Sequence, residues 1–234
     1  MPASFVAASS QYINLGINQN YCVNCSGHTV AAWIYVTDTT IGRSVISVSV
    51  GAVSSTITSR ASIVVLAGGT LSLISRASDF DLEHDCNTAA GAIAVNTWYH
   101  VVGVTNLVAA TQTVYINGVQ IAQLTAVAFN QTTTSNTSAY NSCIGAEDNG
   151  SSGYMSGYIH DARIYSRALG GDEIMTMYTS GGKDGIIYGQ DGRFLLSEGA
   201  PGTSISSVQN LGTVKTAGTP SGGPTYAIGI LEVQ

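Results

Sequence analysis

The densest charge in the chain lies in Asp79-Phe-Asp-Leu-Glu-His-Asp85. Side chains alternate along a strand, so Asp79, Asp81, Glu83 and Asp85 would share one face while Phe80 and Leu82 turn to a core. A row of carboxylates can do two kinds of chemistry. A suitably spaced pair serves as nucleophile and acid in glycoside hydrolysis. Several together offer the oxygen ligands that Ca²⁺ takes. These four residues are therefore a candidate Ca²⁺ set, beside the alternative of a solvated polar loop that holds no cofactor. Glu147-Asp148-Asn149, with Asp38 as an outlier, is a second oxygen-rich stretch.

Sulfur and imidazole form a second group. Cys22-Val-Asn-Cys25, with His28, His84-Asp-Cys86 and Cys143, holds the ligand types of a zinc site. A second Cys-x-x-Cys half is missing and Cys143 sits in a strand pattern, so buried thiols are expected, or a disulfide of Cys22 or Cys25 with Cys86. His28, His84, His100 and His160 fall in different strands or loops and define no Ser-His-Asp order. The glycine pairs break strands rather than open helices, which argues against a phosphate loop. No catalytic residue is assigned, and the expectation is a protein that is not an enzyme.

Composition narrows the classes further. Charged residues make up 9% of 234, against about 25% in ordinary globular chains. Serine, threonine, asparagine and glycine must then cover much of the surface, which suits a protein packed against copies of itself or a partner. Net charge is −6 and no run of lysine or arginine occurs, so no nucleic-acid partner is expected. No uncharged apolar run approaches 18 residues, so no membrane-spanning segment is expected either. The first residues carry neither a basic segment nor an apolar run suited to export, which points to synthesis in a cytoplasm. In that setting the glycosylation sequons at Asn24, Asn130, Asn136 and Asn149 carry no meaning.

The elements that must position these residues are short strands. Stretches rich in β-branched and aromatic residues recur between glycine and serine breakers, from residues 4–16 through His28–Thr37, Val45–Val50, Ser62–Ala67, Thr70–Arg76 and Trp98–Val104. Gly68-Gly69 and Asn117-Gly118 are hairpin signals, the second a preferred type I′ pair. One helix is expected near residue 175. Gly170 and Gly171 break the preceding strand, Asp172 is the candidate N-cap, and Ile174, Met177 and Tyr178 share a face. After Gly181-Gly182 the chain turns rich in glycine and proline, with short apolar pieces. That places a main domain at 1–182 and an extension at 183–234, too short for a core of its own. Its last apolar segment, with Tyr226, Ile228, Ile230, Leu231 and Val233, is the candidate subunit contact, by strand addition to a sheet edge.

Gly157-Tyr-Ile-His-Asp-Ala-Arg-Ile-Tyr-Ser-Arg-Ala-Leu169, running into Asp172-Glu-Ile, resembles the closing strand and helix of laminin-G-like domains, the concanavalin A-like jelly-roll sandwiches. His28–Tyr35, Trp98–Val104 with Thr113–Val119, Cys143-Ile-Gly145 and the opening Ser10–Gly16 match in the expected order. The likeness covers roughly residues 3–180. It implies an all-β, two-sheet antiparallel jelly-roll sandwich with a β-rich C-terminal extension. It also implies a structural place for His100 and, commonly in this family, one calcium at the rim. Laminarinase-type hydrolases of the same fold carry Glu at both outer positions of their motif, where this chain has Asp79. The arm is one methylene shorter, a displacement catalytic geometry tolerates poorly.

Fold does not choose among functions. The leading expectation is a structural virion protein of a bacteriophage, a capsid decoration or tail-associated subunit. Its partners would be other virion proteins, copies of itself and host-surface glycans. The alternative is a carbohydrate-binding adhesin or lectin-like module, with or without Ca²⁺, whose candidate sugar platforms are Tyr12, Tyr21, Tyr140 and Tyr154.

Overall fold

The structure, a computed structural model, describes residues 1–17, 21–53, 56–78, 80–135, 140–147 and 150–227, with the side chains of 49–53 and 56–60 left aside. Fifteen strands occur among them. They are β1 (Ala3–Phe5), β2 (Tyr12–Ile17), β3 (Gly27–Val36), β4 (Arg43–Val53), β5 (Thr56–Leu66), β6 (Thr70–Ser75), β7 (His84–Asn87), β8 (Trp98–Asn106), β9 (Thr111–Ile116), β10 (Val119–Leu124), β11 (Asn141–Ile144), β12 (Gly157–Tyr165), β13 (Gln190–Phe194), β14 (Thr219–Ser221) and β15 (Thr225–Tyr226). One α-helix, α1, spans Gly171–Thr179.

The strands form two antiparallel sheets. One runs β10-β9-β8-β3-β12-β1-β15, with β13 also on β12, and the other β14-β2-β11-β4-β5-β6-β7. Alternation along each strand sends one set of side chains between the sheets. There Ile13, Leu15, Ile34, Ile46, Ile63, Leu73, Val101 and Ile159 make a single apolar core. The fold is thus the all-β jelly-roll sandwich with one short helix that the sequence led us to expect. Strand β3 is buried on both faces, because its Ala31 meets a second cluster on the outside of the first sheet, where Ile174 and Met177 of α1 pack with Val102, Val104, Tyr165 and Leu169.

The turn chemistry reads as expected. Asn117 and Gly118 take φ of 52° and 78°, both positive as a type I′ hairpin requires, and Gly68 and Gly69 do the same between β5 and β6. The helix cap differs. Gly170, not Asp172, is the N-cap, and the Glu173 carboxylate accepts its backbone N–H at 3.0 Å. Asp172 lies in the first turn, where a negative charge suits the helix dipole.

The stretch after residue 182 is stitched into the sandwich. β13 pairs with β12, β14 with β2 and β15 with β1. Phe194, Leu196, Ile205 and Val208 complete the main core. Tyr226 is 5% exposed and its backbone pairs with Ala3, so its ring packs within its own chain. Ile228, Ile230, Leu231 and Val233 lie outside the described residues.

A buried ion network locks this arrangement. The pairing of β12 with β3 slips between His160 and Arg163, and Asp161 takes φ of 47° at the bulge. The bulge brings the Asp161 carboxylate to Arg163 and to Arg193 of β13, and Arg163 also donates to both oxygens of Asp184 at 2.8 and 2.9 Å. Burial opposes charge here, but the Arg163 guanidinium prevails and holds the Asp184 carboxyl down to about 2.

Candidate functional site

A concavity at one end of the sandwich is built from short-range turn chemistry. Asp38 Oδ1 accepts the backbone N–H of Thr40 at 2.9 Å and its hydroxyl at 2.7 Å, closing the β3–β4 turn. That fixes Oδ2, which forms an ion pair with Nη2 of Arg43 at the start of β4. The Thr40 backbone N–H, then its hydroxyl and Arg43, hold the Asp38 carboxyl down to about 2. Arg43 is buried, and its Nη1 reaches across to donate to the Tyr154 carbonyl at 3.1 Å.

Backbone bonds close the same seam. Ser44 N donates to Gly153 O at 2.7 Å and Thr37 N to Ser156 O at 3.0 Å, and the Thr37 and Ser156 hydroxyls lie 3.0 Å apart. Two loops more than a hundred residues apart are thereby held rigid against each other. Between them and the 3₁₀ turn Ala7–Ser9 lies a cleft of about 360 Å³, lined by Ala7, Ala8, Ile41, Gly42, Arg43, Gly153 and Tyr154. Ligand pockets start at about 300 Å³.

Beside the cleft stands an aromatic pair. Ile13 and Leu15 of β2 point into the core, so Tyr12 points out. Its ring centroid lies 6.3 Å from that of Tyr154. Gly150 makes the approach feasible, since a β-carbon there would fall 2.6 Å from the Tyr12 ring, and the Tyr154 hydroxyl donates to its carbonyl at 3.0 Å. The tyrosines that the sequence leaves unordered are therefore sorted. Tyr12 and Tyr154 come together, whereas Tyr21 is wholly buried with its hydroxyl on the Leu15 carbonyl. Tyr140 precedes β11 at the far end of that strand.

The carboxylate row does not form as the two-residue period suggested. Only His84 onward is strand, and the residues before it turn. Phe80 and Leu82, expected in the core, are 82% and 76% exposed, and Asp81 is buried instead. Its oxygens are taken by backbone N–H groups: Oδ2 by Ala77 at 2.8 Å, Oδ1 by Leu82 at 3.0 Å and Asn130 at 3.1 Å. Asp81 is thus a loop staple, and Glu83 and Asp85 are exposed. Asp79, Asp148 and Asn149 lie outside the described residues. Among the described residues no three His, Cys, Asp or Glu side chains are placed to hold a metal ion.

All four cysteines are buried free thiols. Cys22 and Cys25 adjoin, and the Thr134 hydroxyl ties their turn by accepting from Cys25 N at 3.0 Å and donating to Cys22 O at 2.5 Å. A hydrogen bond from the Cys22 thiol, aided by His28 and Thr134 against the cost of burial, pulls the Cys25 thiol down to about 4. Sequence reasoning missed Arg43 and Ile41. The one local signal was Asp38-x-Thr40, a turn motif five residues before an arginine in a chain with few of them.

Known proteins repeat this architecture. A family model described as the concanavalin A-like lectin/glucanases superfamily matches residues 7–175. No curated protein matches the sequence. Among solved structures, a Bacteroides ovatus protein with a suggested role in carbohydrate binding aligns at a TM-score of 0.70 and 15% identity, over 100% of this chain and 61% of its own length. This chain therefore spans about three-fifths of that protein. The CBM40 of a Ruminococcus gnavus IT-sialidase, bound to α2,3-sialyllactose, aligns at 0.57 and 16% identity over 76% of this chain and 97% of its own. A heptameric SAP-like pentraxin of Limulus polyphemus aligns at 0.52 and 20% identity, over 74% and 77%. At these identities the structural likeness is one of fold. With the family model covering most of the sequence and the two-sheet topology in agreement, this chain belongs to the concanavalin A-like lectin/glucanases superfamily.

Proposed function

We propose that the protein is a carbohydrate-binding module and that its sugar site is the cleft between the β3–β4 turn and the 153–154 loop. The observation that carries this reading is the meeting of Tyr12 and Tyr154 beside a rigid cleft lined by Ile41, Arg43 and Tyr154. Sugar rings present C–H faces that lie on aromatic rings, and hydroxyls that pair with fixed backbone groups. Both partners exist here, on loops cross-linked before any ligand arrives, which lowers the ordering cost of binding. The volume suits one or two sugar units. Relatives of this fold in which a saccharide is seen bound, such as the R. gnavus module, support the reading.

The test is a glycan array followed by titration calorimetry on the full chain. Binding should weaken at least tenfold, about 1.4 kcal/mol, in Tyr154→Ala and in Tyr12→Ala, with thermal unfolding nearly unchanged. Unaltered binding in both variants would move the site elsewhere.

A role in a virion shell, suggested by the low charge, draws on a different surface. Edge strand β10 leaves Val119 and Ile121 about half exposed, an open edge to which another chain can add. That reading and the cleft are compatible.

A further inference from the structure

Some relatives of this fold are seen with sialylated sugars, whose carboxylate would call for a cation in the cleft. Among the described residues Arg43 is the only cation lining it. Its guanidinium is already committed. Nη2 is paired with Asp38, Nη1 donates to the Tyr154 carbonyl, and Nε is buried without a protein partner, so the edge that clamps a carboxylate does not face the opening. Asp38 cannot swing away readily, because Thr40 holds its other oxygen by two hydrogen bonds.

A second carboxylate adjoins the cleft. A β-carbon built on Gly153 would fall 2.6 Å from Glu147 Oε1, so the Glu147 side chain lies directly against a cleft-lining residue. The whole chain carries −6. Among the described residues, an acidic sugar entering here would meet an Arg43 already neutralised by Asp38, the Glu147 carboxylate behind Gly153 and no open cation, and like charges at short range repel.

We infer that the cleft selects an uncharged saccharide, a neutral hexose or N-acetylhexosamine unit, and rejects sugar acids. This rests on the carbohydrate-binding reading above. Arg43 acts as a positioning residue that joins two rim loops, and specificity comes from Asp38, which occupies the Arg43 charge, and from the Glu147 carboxylate behind Gly153.

The experiment uses the full chain on an array that carries each oligosaccharide in a neutral and a sialylated form, with lactose and 3′-sialyllactose as the calorimetric pair for any lactose-type hit. Neutral forms should bind at least tenfold more tightly than their sialylated partners. Asp38→Asn, which removes the carboxylate that occupies Arg43 and frees its charge, should narrow that ratio several-fold in favour of the acidic forms, while Arg43→Gln should not. Sialylated forms bound as tightly as neutral ones by the unaltered protein would overturn the selectivity and leave the sugar site standing. Binding to no glycan of either kind would overturn the sugar site and the selectivity with it. A ratio unmoved in a folded Asp38→Asn protein would remove Asp38 from the account.

Discussion

Single side chains in this protein do work that their neighbours in space assign. Asp81 sits in a row that looks like a metal or catalytic face, yet it accepts three backbone N–H groups, those of Ala77 and Leu82 in its own loop and that of Asn130 from another. Cys25 looks like any buried thiol until Cys22 donates to it and His28 and Thr134 close around it. The Cys25 thiolate should therefore persist far below neutrality. Ultraviolet thiolate absorbance should titrate with a midpoint near 4, and Cys22→Ala, which deletes the leading donor, should move that midpoint upward. A single midpoint in the ordinary thiol range for the unaltered chain would show that the contact does not form.

Elements carry the next level of order. A bulge in β12 turns Asp161 inward to face Arg163 and Arg193, so one irregularity joins the closing strand to the strand that follows the helix. Removing one partner of a buried pair leaves the other charged and unpaired, which costs about 3–5 kcal/mol. Asp161→Ala leaves Arg193 without its carboxylate and Arg163 with Asp184 alone, and should lose about that much in chemical denaturation. Asp161→Asn keeps an acceptor and should lose less. Equal, small losses in the two variants would mean that water replaces the carboxylate.

At the scale of the whole molecule, stability should depend on pH through a histidine that stays neutral. His100 lies among Trp33, at 5.1 Å between ring centroids, and Tyr178, at 6.3 Å, under α1. Burial first, and the Arg163 charge second, push its pKa down to about 4. At this site the folded chain then binds fewer protons than the unfolded chain between the ordinary histidine value of about 6.5 and 4, so the histidine's contribution makes stability fall as pH drops through that window and levels off below it. The loss should be about 3 kcal/mol, with His160, shifted the same way by burial, adding to it. Unfolding midpoints measured from pH 7 to pH 4 should show this slope, and His100→Phe should flatten most of it.

The order of strands, both hairpin turns and the helix near residue 175 were legible along the chain, because turn residues and side-chain periodicity act between near neighbours. The same local rules failed at Asp79–Asp85. Alternation of polar and apolar types there mimics a strand, while the backbone donors of Ala77, Leu82 and Asn130 reward a turn with the carboxylate inside. They were silent on the cleft as well. Tyr12 and Tyr154 stand 142 positions apart, and only the packing of β2 against β11, with Arg43 bridging to the 154 carbonyl, brings them side by side. Short-range chemistry decided which elements form. Long-range pairing decided which of their side chains meet, and a binding site is made of those meetings.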